Sequence, residues 1–334
     1  MTPLSVIGGF LGAGKTTLIN QLLAEGCGRR LAVLVNDFGA VNIDAALIAG
    51  HDGETIALTN GCLCCSIGDS LIAALDGLQR RRVPLDHILV EASGVADPAR
   101  VADLARLDPA LALDGIIVLV DAERIRGQLV DRHIGDTVRR QIDGADMIVL
   151  NKMDLPSAEA GRLVLDELRR LWPDLPLVTT TGARVPAAIL LEPAAGLPAP
   201  AAPNRLSAPA DHAAQFLSWC FEADRPFAPQ PLAQLLDRLG GGVLRAKGTV
   251  FLAGDPAQAM LLQLAGRRWS LAPHPRSEPS GRSQIVFIGL RDSLRPTALA
   301  ARLAAALVPR RGHRAGAATA FWPESGRPES GATE

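Results

Sequence analysis

The chain has 334 residues with a formal net charge of −1, enough length for two ordinary domains and too little positive charge for a broad nucleic-acid surface. Hydrophobic residues make up 48% and charged residues 21%, a globular balance, and no apolar run reaches the ~18 residues that a membrane span needs. Five cysteines, three of them within four positions, do not read as a disulfide framework.

The first apolar run, Leu4–Ile7, has neither a basic leader before it nor a small-residue cleavage site after it, so a cytoplasmic protein is expected. Further runs follow at Leu31–Val35, Ile88–Val90, Ile116–Val120, Met147–Leu150 and Leu177–Thr179. Each is short, rich in Val, Ile and Leu, and bounded by polar or turn residues, the pattern of strands buried on both faces of a parallel sheet. Helical patterns lie between them, notably Thr16–Ala24, Asp69–Gln79 and Glu159–Leu171. Alternating strands and helices predict an α/β domain with right-handed crossovers over residues 1–192. The Pro- and Ala-rich segment 193–212 reads as a linker. After it, strand-like pieces (Gln215–Phe221, Gly248–Leu252, Arg268–Leu271, Gln284–Ile288) and helix-like pieces (Pro231–Leu239, Pro296–Leu307) predict a smaller α+β domain over 213–308. Residues 309–334 have the composition of a disordered tail.

Gly9-Phe10-Leu11-Gly12-Ala13-Gly14-Lys15-Thr16 fits G-x-x-x-x-G-K-[ST] and stands between the first strand and the first helix. That context defines a P-loop, and the fold expected is a P-loop NTPase with a mostly parallel sheet. Gly9, Gly12, Ala13 and Gly14 would turn backbone N–H groups toward phosphate oxygens at a helix N-terminus, with Thr17 in the same first turn. Lys15 would reach the β- and γ-phosphates and Thr16 would ligate Mg²⁺. Of 34 basic residues only Lys15, Lys152 and Lys247 are lysines, and two of them fall inside nucleotide-binding motifs.

Asn151-Lys152-Met153-Asp154 directly follows a strand and matches N-K-x-D. Guanine offers the N1–H and N2–H₂ donors that a carboxylate at Asp154 can accept as a pair. Adenine presents an acceptor at N1, which would leave that carboxylate opposed, so GTP is the expected nucleotide. Lys152 would lie along the base and Asn151 would brace the loop. Glu91-Ala92-Ser93-Gly94 follows another strand, which places Glu91 where it could hold Mg²⁺ through water or orient the attacking water, and Gly94 where it could sense the γ-phosphate.

Cys62-Leu63-Cys64-Cys65 sets three soft thiolates together, suited to Zn²⁺ or Co²⁺. Three ligands leave one tetrahedral position open, as a site that must release its metal requires. A redox pair and buried inert cysteines are the competing readings. The six histidines are scattered, and His51, His87, His133, His212, His274 and His313 read as surface or capping residues rather than ligands.

Together these stretches resemble the CobW-type metallochaperone GTPases, which include zinc-regulated metalloprotein activators. The resemblance rests on Gly8–Thr17, Asn36-Asp37-Phe38-Gly39, Gly61–Ser66, Glu91–Pro98 and Asn151–Asp154, with Arg245-Ala246-Lys247-Gly248 and Gln284–Gly289 in the second unit. It implies a GTP-hydrolysing protein that carries Zn²⁺ or Co²⁺ on Cys62, Cys64 and Cys65 and hands it to a client metalloprotein. Partners outside that set, such as nucleic acid or a membrane, are not expected, and a homodimer is the assembly to test. The family usually reads Glu-Asn-Glu-Phe-Gly-Glu where this chain has Val35-Asn36-Asp37-Phe38-Gly39-Ala40, which leaves Asp37 as the carboxylate of that segment able to join a metal. The His-rich stretch of many members is missing. A GTP-gated zinc or thiol sensor without delivery is the alternative, and a nickel-inserting maturation GTPase fits the C-x-C-C and the second domain less well.

Overall fold

A computed structural model describes residues 1–25, 30–36, 54–58, 66–80, 84–191, 215–274 and 281–309. The first part of the chain runs β1 (Thr2–Gly9), α1 (Lys15–Ala24), β2 (Leu31–Asn36), β3 (Glu54–Leu58), α2 (Ser66–Gln79), β4 (His87–Glu91), α3 (Pro98–Arg106), β5 (Leu111–Asp121), α4 (Ile125–Val130), α5 (Gly135–Asp143), β6 (Met147–Asn151), α6 (Ala158–Leu171), β7 (Leu177–Thr179) and α7 (Ala187–Leu190). Its strands form a seven-stranded sheet in the order β3-β2-β4-β1-β5-β6-β7, parallel throughout.

Side chains alternate across this sheet, so the continuous apolar runs feed two cores. Leu4, Val6, Val90, Val118 and Ile148 pack on one face against α3, α5 and α6. Ile7, Leu89, Ile117, Leu119 and Val149 pack on the other against α1 and α7. The second core also takes in Phe216, Leu244 and Ile288 from the C-terminal part, so one apolar cluster spans both units.

That C-terminal part runs β8 (Phe216–Ala223), α8 (Pro229–Asp237), β9 (Val243–Leu252), β10 (Asp255–Ala265), β11 (Arg268–Pro273), β12 (Ser283–Leu290) and α9 (Pro296–Ala305). Its five strands pair antiparallel in the order β11-β10-β9-β12-β8. The helices cover one sheet face, where Phe227, Leu232, Val250, Phe287 and Leu303 are buried.

Several elements depart from the sequence reading. Strand β3 adds a seventh strand, and β10 adds one to the second sheet. Strand β10 carries no Val, Ile or Thr, so β-propensity gave no signal, and the hairpin that pairs it with β9 supplies the structure. Helices α3, α4, α5 and α7 are further additions, each ten residues or shorter. His87, read as a surface or capping residue rather than a ligand, is fully buried and shares a hydrogen bond with Ser5 Oγ at 2.9 Å. The segment 193–212 and the tail from 310 onward lie outside the described residues. Among the described residues no helix is long and apolar enough to cross a membrane.

The register decides where the loops emerge. Ile7 lies opposite Glu91, Val35 opposite Glu91, and Asn36 opposite Leu58, so the carboxyl ends of β1, β4, β2 and β3 are level. Chain leaving β3 toward residues 59–65 therefore starts two strands, roughly 10 Å, from the end of β4.

Candidate nucleotide site

The turn between β1 and α1 depends on three glycines at positive φ: Gly9 at 129°, Gly12 at 77° and Gly14 at 106°. L-residues rarely adopt such angles. A Cβ on Gly9 would stand 2.3 Å from the carbonyl oxygen of Leu119, and one on Gly14 would stand 2.4 Å from Asn151 Nδ2. A Cβ on Gly12 would meet nothing within 4 Å, so the loop is open on that side. Gly14 caps α1 without a side-chain bond, and no acidic residue stands in the first turn, which keeps the positive end of the helix available to an anion.

Lys15 is buried, with its ammonium donating to the carbonyl oxygen of Gly9 at 3.0 Å across the loop. The Thr16 hydroxyl donates to Glu91 Oε1 at 3.0 Å. Two hard oxygen groups from motifs 75 positions apart thus converge beside the loop, and that donor set fits Mg²⁺. Thr17 is exposed in the same turn. Gly94 is packed so closely on the loop that a Cβ there would stand 2.9 Å from the backbone N of Leu11, which explains why a glycine follows Glu91 at this spacing.

Asn151 is 2% exposed and joins two loops. Its Nδ2 donates to the carbonyl oxygen of Ala13 at 2.9 Å, and its Oδ1 accepts from the N–H of Ala183 at 2.8 Å. Lys152 adopts φ 62° and its ammonium lies 2.7 Å from Asp121 Oδ2. The N–H of Met153 donates to the carbonyl oxygen of Thr180 at 3.2 Å, which stitches the 151–154 loop to the one after β7. Asp154 is exposed at the end of this turn, open to a ligand. Cys62, Cys64, Cys65 and Asp37 lie outside the described residues.

Three residues of this neighbourhood escaped the sequence reading. Ala183, at φ 57° after Gly182 at φ 60°, had a weak signal in the Thr181-Gly182-Ala183 turn behind β7. Asp121 reads only as the polar end of a strand, and Gln141 as one polar residue in a helix. Neither carries a signal until the fold brings it to the site.

Comparison with known proteins bears on both domains. The family profile described as "CobW/HypB/UreG, nucleotide-binding domain" matches residues 3–179, and that described as "Cobalamin synthesis protein cobW C-terminal domain" matches residues 216–307. The chain is 31% identical to a zinc chaperone CobW from Sinorhizobium sp, over 87% of this chain and 93% of that protein. It is 31% identical to the zinc chaperone YjiA of Escherichia coli strain K12, over 87% of this chain and 95% of that protein. Identity to the zinc-regulated GTPase metalloprotein activator 1 of Schizosaccharomyces pombe is 36%, over 55% of this chain and 46% of that protein.

Proposed function

The chain belongs to the CobW/HypB/UreG family and is a GTPase, and we propose that it uses GTP to load and release zinc, which it delivers to a client metalloprotein. Cys62, Cys64 and Cys65 are the cargo ligands in this reading, with Asp37 able to close the fourth position. The observation that carries it is the level carboxyl edge of β1, β4, β2 and β3, from which the P-loop, the Glu91 loop, the Asp37 segment and the cysteine loop all depart. The segments that would carry the cargo ligands thus begin at Asn36 and Leu58, about one and two strand spacings from the Glu91 end of β4, where a change at the γ-phosphate would act.

Gly9–Thr17 would hold the phosphates, with Lys15 exchanging its bond to Gly9 for phosphate oxygens. Asp154 would read the guanine donors while Asn151 keeps the base loop fixed to the P-loop. Thr16 and Glu91 would hold Mg²⁺, whose charge would offset that of the phosphates. Glu91, directly or through that contact, would orient the attacking water, and Gly94 would approach the γ-phosphate without a side chain in the way.

Transfer is the test. Zinc-loaded protein is mixed with a zinc-dependent apo-enzyme across a dialysis membrane and in free contact, with GTP or with GDP. Delivery requires client activation in free contact that depends on GTP and exceeds passive release through the membrane. GTP-dependent zinc binding with no activation beyond passive release would favour a sensor instead.

A further inference from the structure

The segment from Glu91 to Pro98 is fixed at both ends. Ala92 N–H donates to the carbonyl oxygen of Ile7 at 2.9 Å, and Asp97 Oδ1 caps α3 by accepting from Ala99 N–H at 2.9 Å. The Pro98 ring fills the space beside Gly8, 2.9 Å from where a Cβ would stand. Between these anchors the chain turns through Ser93–Ala96, and here two carbonyl groups converge on one side chain. Gln141 Nε2 of α5 donates to the carbonyl oxygen of Gly94 at 3.1 Å and to that of Ala96 at 2.8 Å.

Gln141 is 1% exposed and lies on the face of α5 that buries Val138 and Ile142. A primary amide placed among apolar side chains is costly unless its hydrogens are bonded, and here both go to the same loop. Among neutral side chains only Asn and Gln carry two hydrogens on one nitrogen, and Gln has the longer reach. A trans peptide sets each carbonyl opposite the next N–H. Holding the carbonyl of Gly94 toward α5 therefore fixes the N–H of Val95 away from α5. Gly94 is then confined on two sides, by Leu11 of the P-loop and by Gln141.

We propose that Gln141 is a positioning residue for GTP hydrolysis: its amide presets the Gly94–Ala96 peptides in the orientation that meets the γ-phosphate. The inference rests on the assignment of Gly94 to the γ-phosphate made above. A bound GDP meets the P-loop and the base loop but has no group to reach Gly94. Loss of the clamp therefore acts on GTP and on turnover while sparing GDP.

The test is Gln141→Met, which keeps length and removes both donors, with Gln141→Asn as the variant that retains the amide on a shorter arm. Affinities for GDP and for a non-hydrolysable GTP analogue, kcat and the urea unfolding midpoint are measured on full-length protein. The expectation for Gln141→Met is a loss of about tenfold in kcat and in analogue affinity, with GDP affinity within about twofold of wild type. Gln141→Asn should fall between the two and carries the comparison if the Met variant does not fold. An unchanged analogue-to-GDP ratio and kcat would overturn the inference, as would equal losses for both nucleotides. Gly94→Ala separates the two levels. If it also leaves the ratio unchanged, the assignment of Gly94 fails. If it collapses the ratio while folded Gln141 variants do not, only the role of Gln141 fails.

Discussion

Arg245 and Asp114 form an ion pair across the junction of the two domains, with side chains only 6% and 8% exposed. The guanidinium also donates to the carbonyl oxygens of Ile189, at 2.7 Å, and Leu190, where α7 ends. Asp114 in turn accepts from Ser5 Oγ at 3.1 Å, and His87 Nε2 lies 3.8 Å away. Ser5, His87 and Asp114 belong to β1, β4 and β5, the strands whose other ends carry the P-loop, Glu91 and Asp121. A fork-shaped cation can satisfy a carboxylate and two carbonyls at once, which a lysine ammonium on a single stem does less well.

Removing one partner of a buried pair leaves the other charge uncompensated. Arg245→Met should lower unfolding stability by about 3–5 kcal/mol in urea titration, and Arg245→Met with Asp114→Asn should cost less than the sum of the single changes. A loss below about 1 kcal/mol for Arg245→Met would show that this junction does not hold the domains.

The same pair has a pH signature. Burial alone would push the Asp114 carboxyl upward, but Arg245, then His87, then hydrogen bonds from Arg245 and Ser5 outweigh it and hold the group below its ordinary value of 3.8. A carboxyl lowered by folding contributes stability that is full above its unfolded value and drains away as pH falls through the folded one. Between about pH 4 and lower pH, wild type should lose stability more steeply than Asp114→Asn. Parallel acid titrations of the two proteins would contradict the assignment.

The P-loop predicts a clean separation between folding and ligand binding. Lys15→Ala should abolish GTP turnover while moving the nucleotide-free unfolding midpoint little, because Lys15 spans the loop rather than the core. Gly14→Ala should do more harm, since φ 106° and the 2.4 Å approach to Asn151 Nδ2 disturb both the phosphate loop and the base loop. A turnover assay and urea unfolding without nucleotide check Lys15→Ala, and the same unfolding with calorimetric titration of GDP checks Gly14→Ala. Turnover surviving in Lys15→Ala would remove the phosphate role from this loop.

Guanine selectivity is assigned to Asp154. Asp154→Asn should weaken GTP by at least about tenfold and improve xanthosine triphosphate, whose C2 carbonyl pairs with an amide. Equal affinity of the wild type for GTP and ATP in competition binding would show that the base is not read here.

What the sequence made legible follows from how local each signal is. The P-loop, N-K-x-D and E-x-S-G are short runs whose chemistry is carried within a few residues of one strand end, so their neighbourhoods could be named before the fold. Six strands of the parallel sheet were legible because each reads as an unbroken apolar run, whereas β3, with Glu54 and Thr55 in its five residues, does not. Strand β10 was not, because a hairpin partner rather than β-branched residues holds it extended. Arg245 stood out as part of a motif, yet its purpose needed Asp114, 131 positions away, to be seen. His87 was misread because no local pattern distinguishes a buried network histidine from a surface one. Gln141 and Ala183 act on loops 45 and 32 positions distant, and no spacing rule links them to their targets.

In the proposed function cargo and nucleotide are coupled through the edge from which β1, β4, β2 and β3 release their loops, and metal affinity in the two nucleotide states measures that coupling. Zn²⁺ and Co²⁺ dissociation constants are determined with GDP and with a non-hydrolysable GTP analogue, for wild type and for Cys64→Ala. A coupling of about 1–3 kcal/mol gives roughly 5- to 150-fold tighter metal binding with the analogue, and metal must tighten analogue binding by the same factor. Cys64→Ala should lose both the tight binding and the nucleotide dependence. Identical metal affinities in the two states would contradict nucleotide-controlled delivery, however tightly the wild type holds its metal.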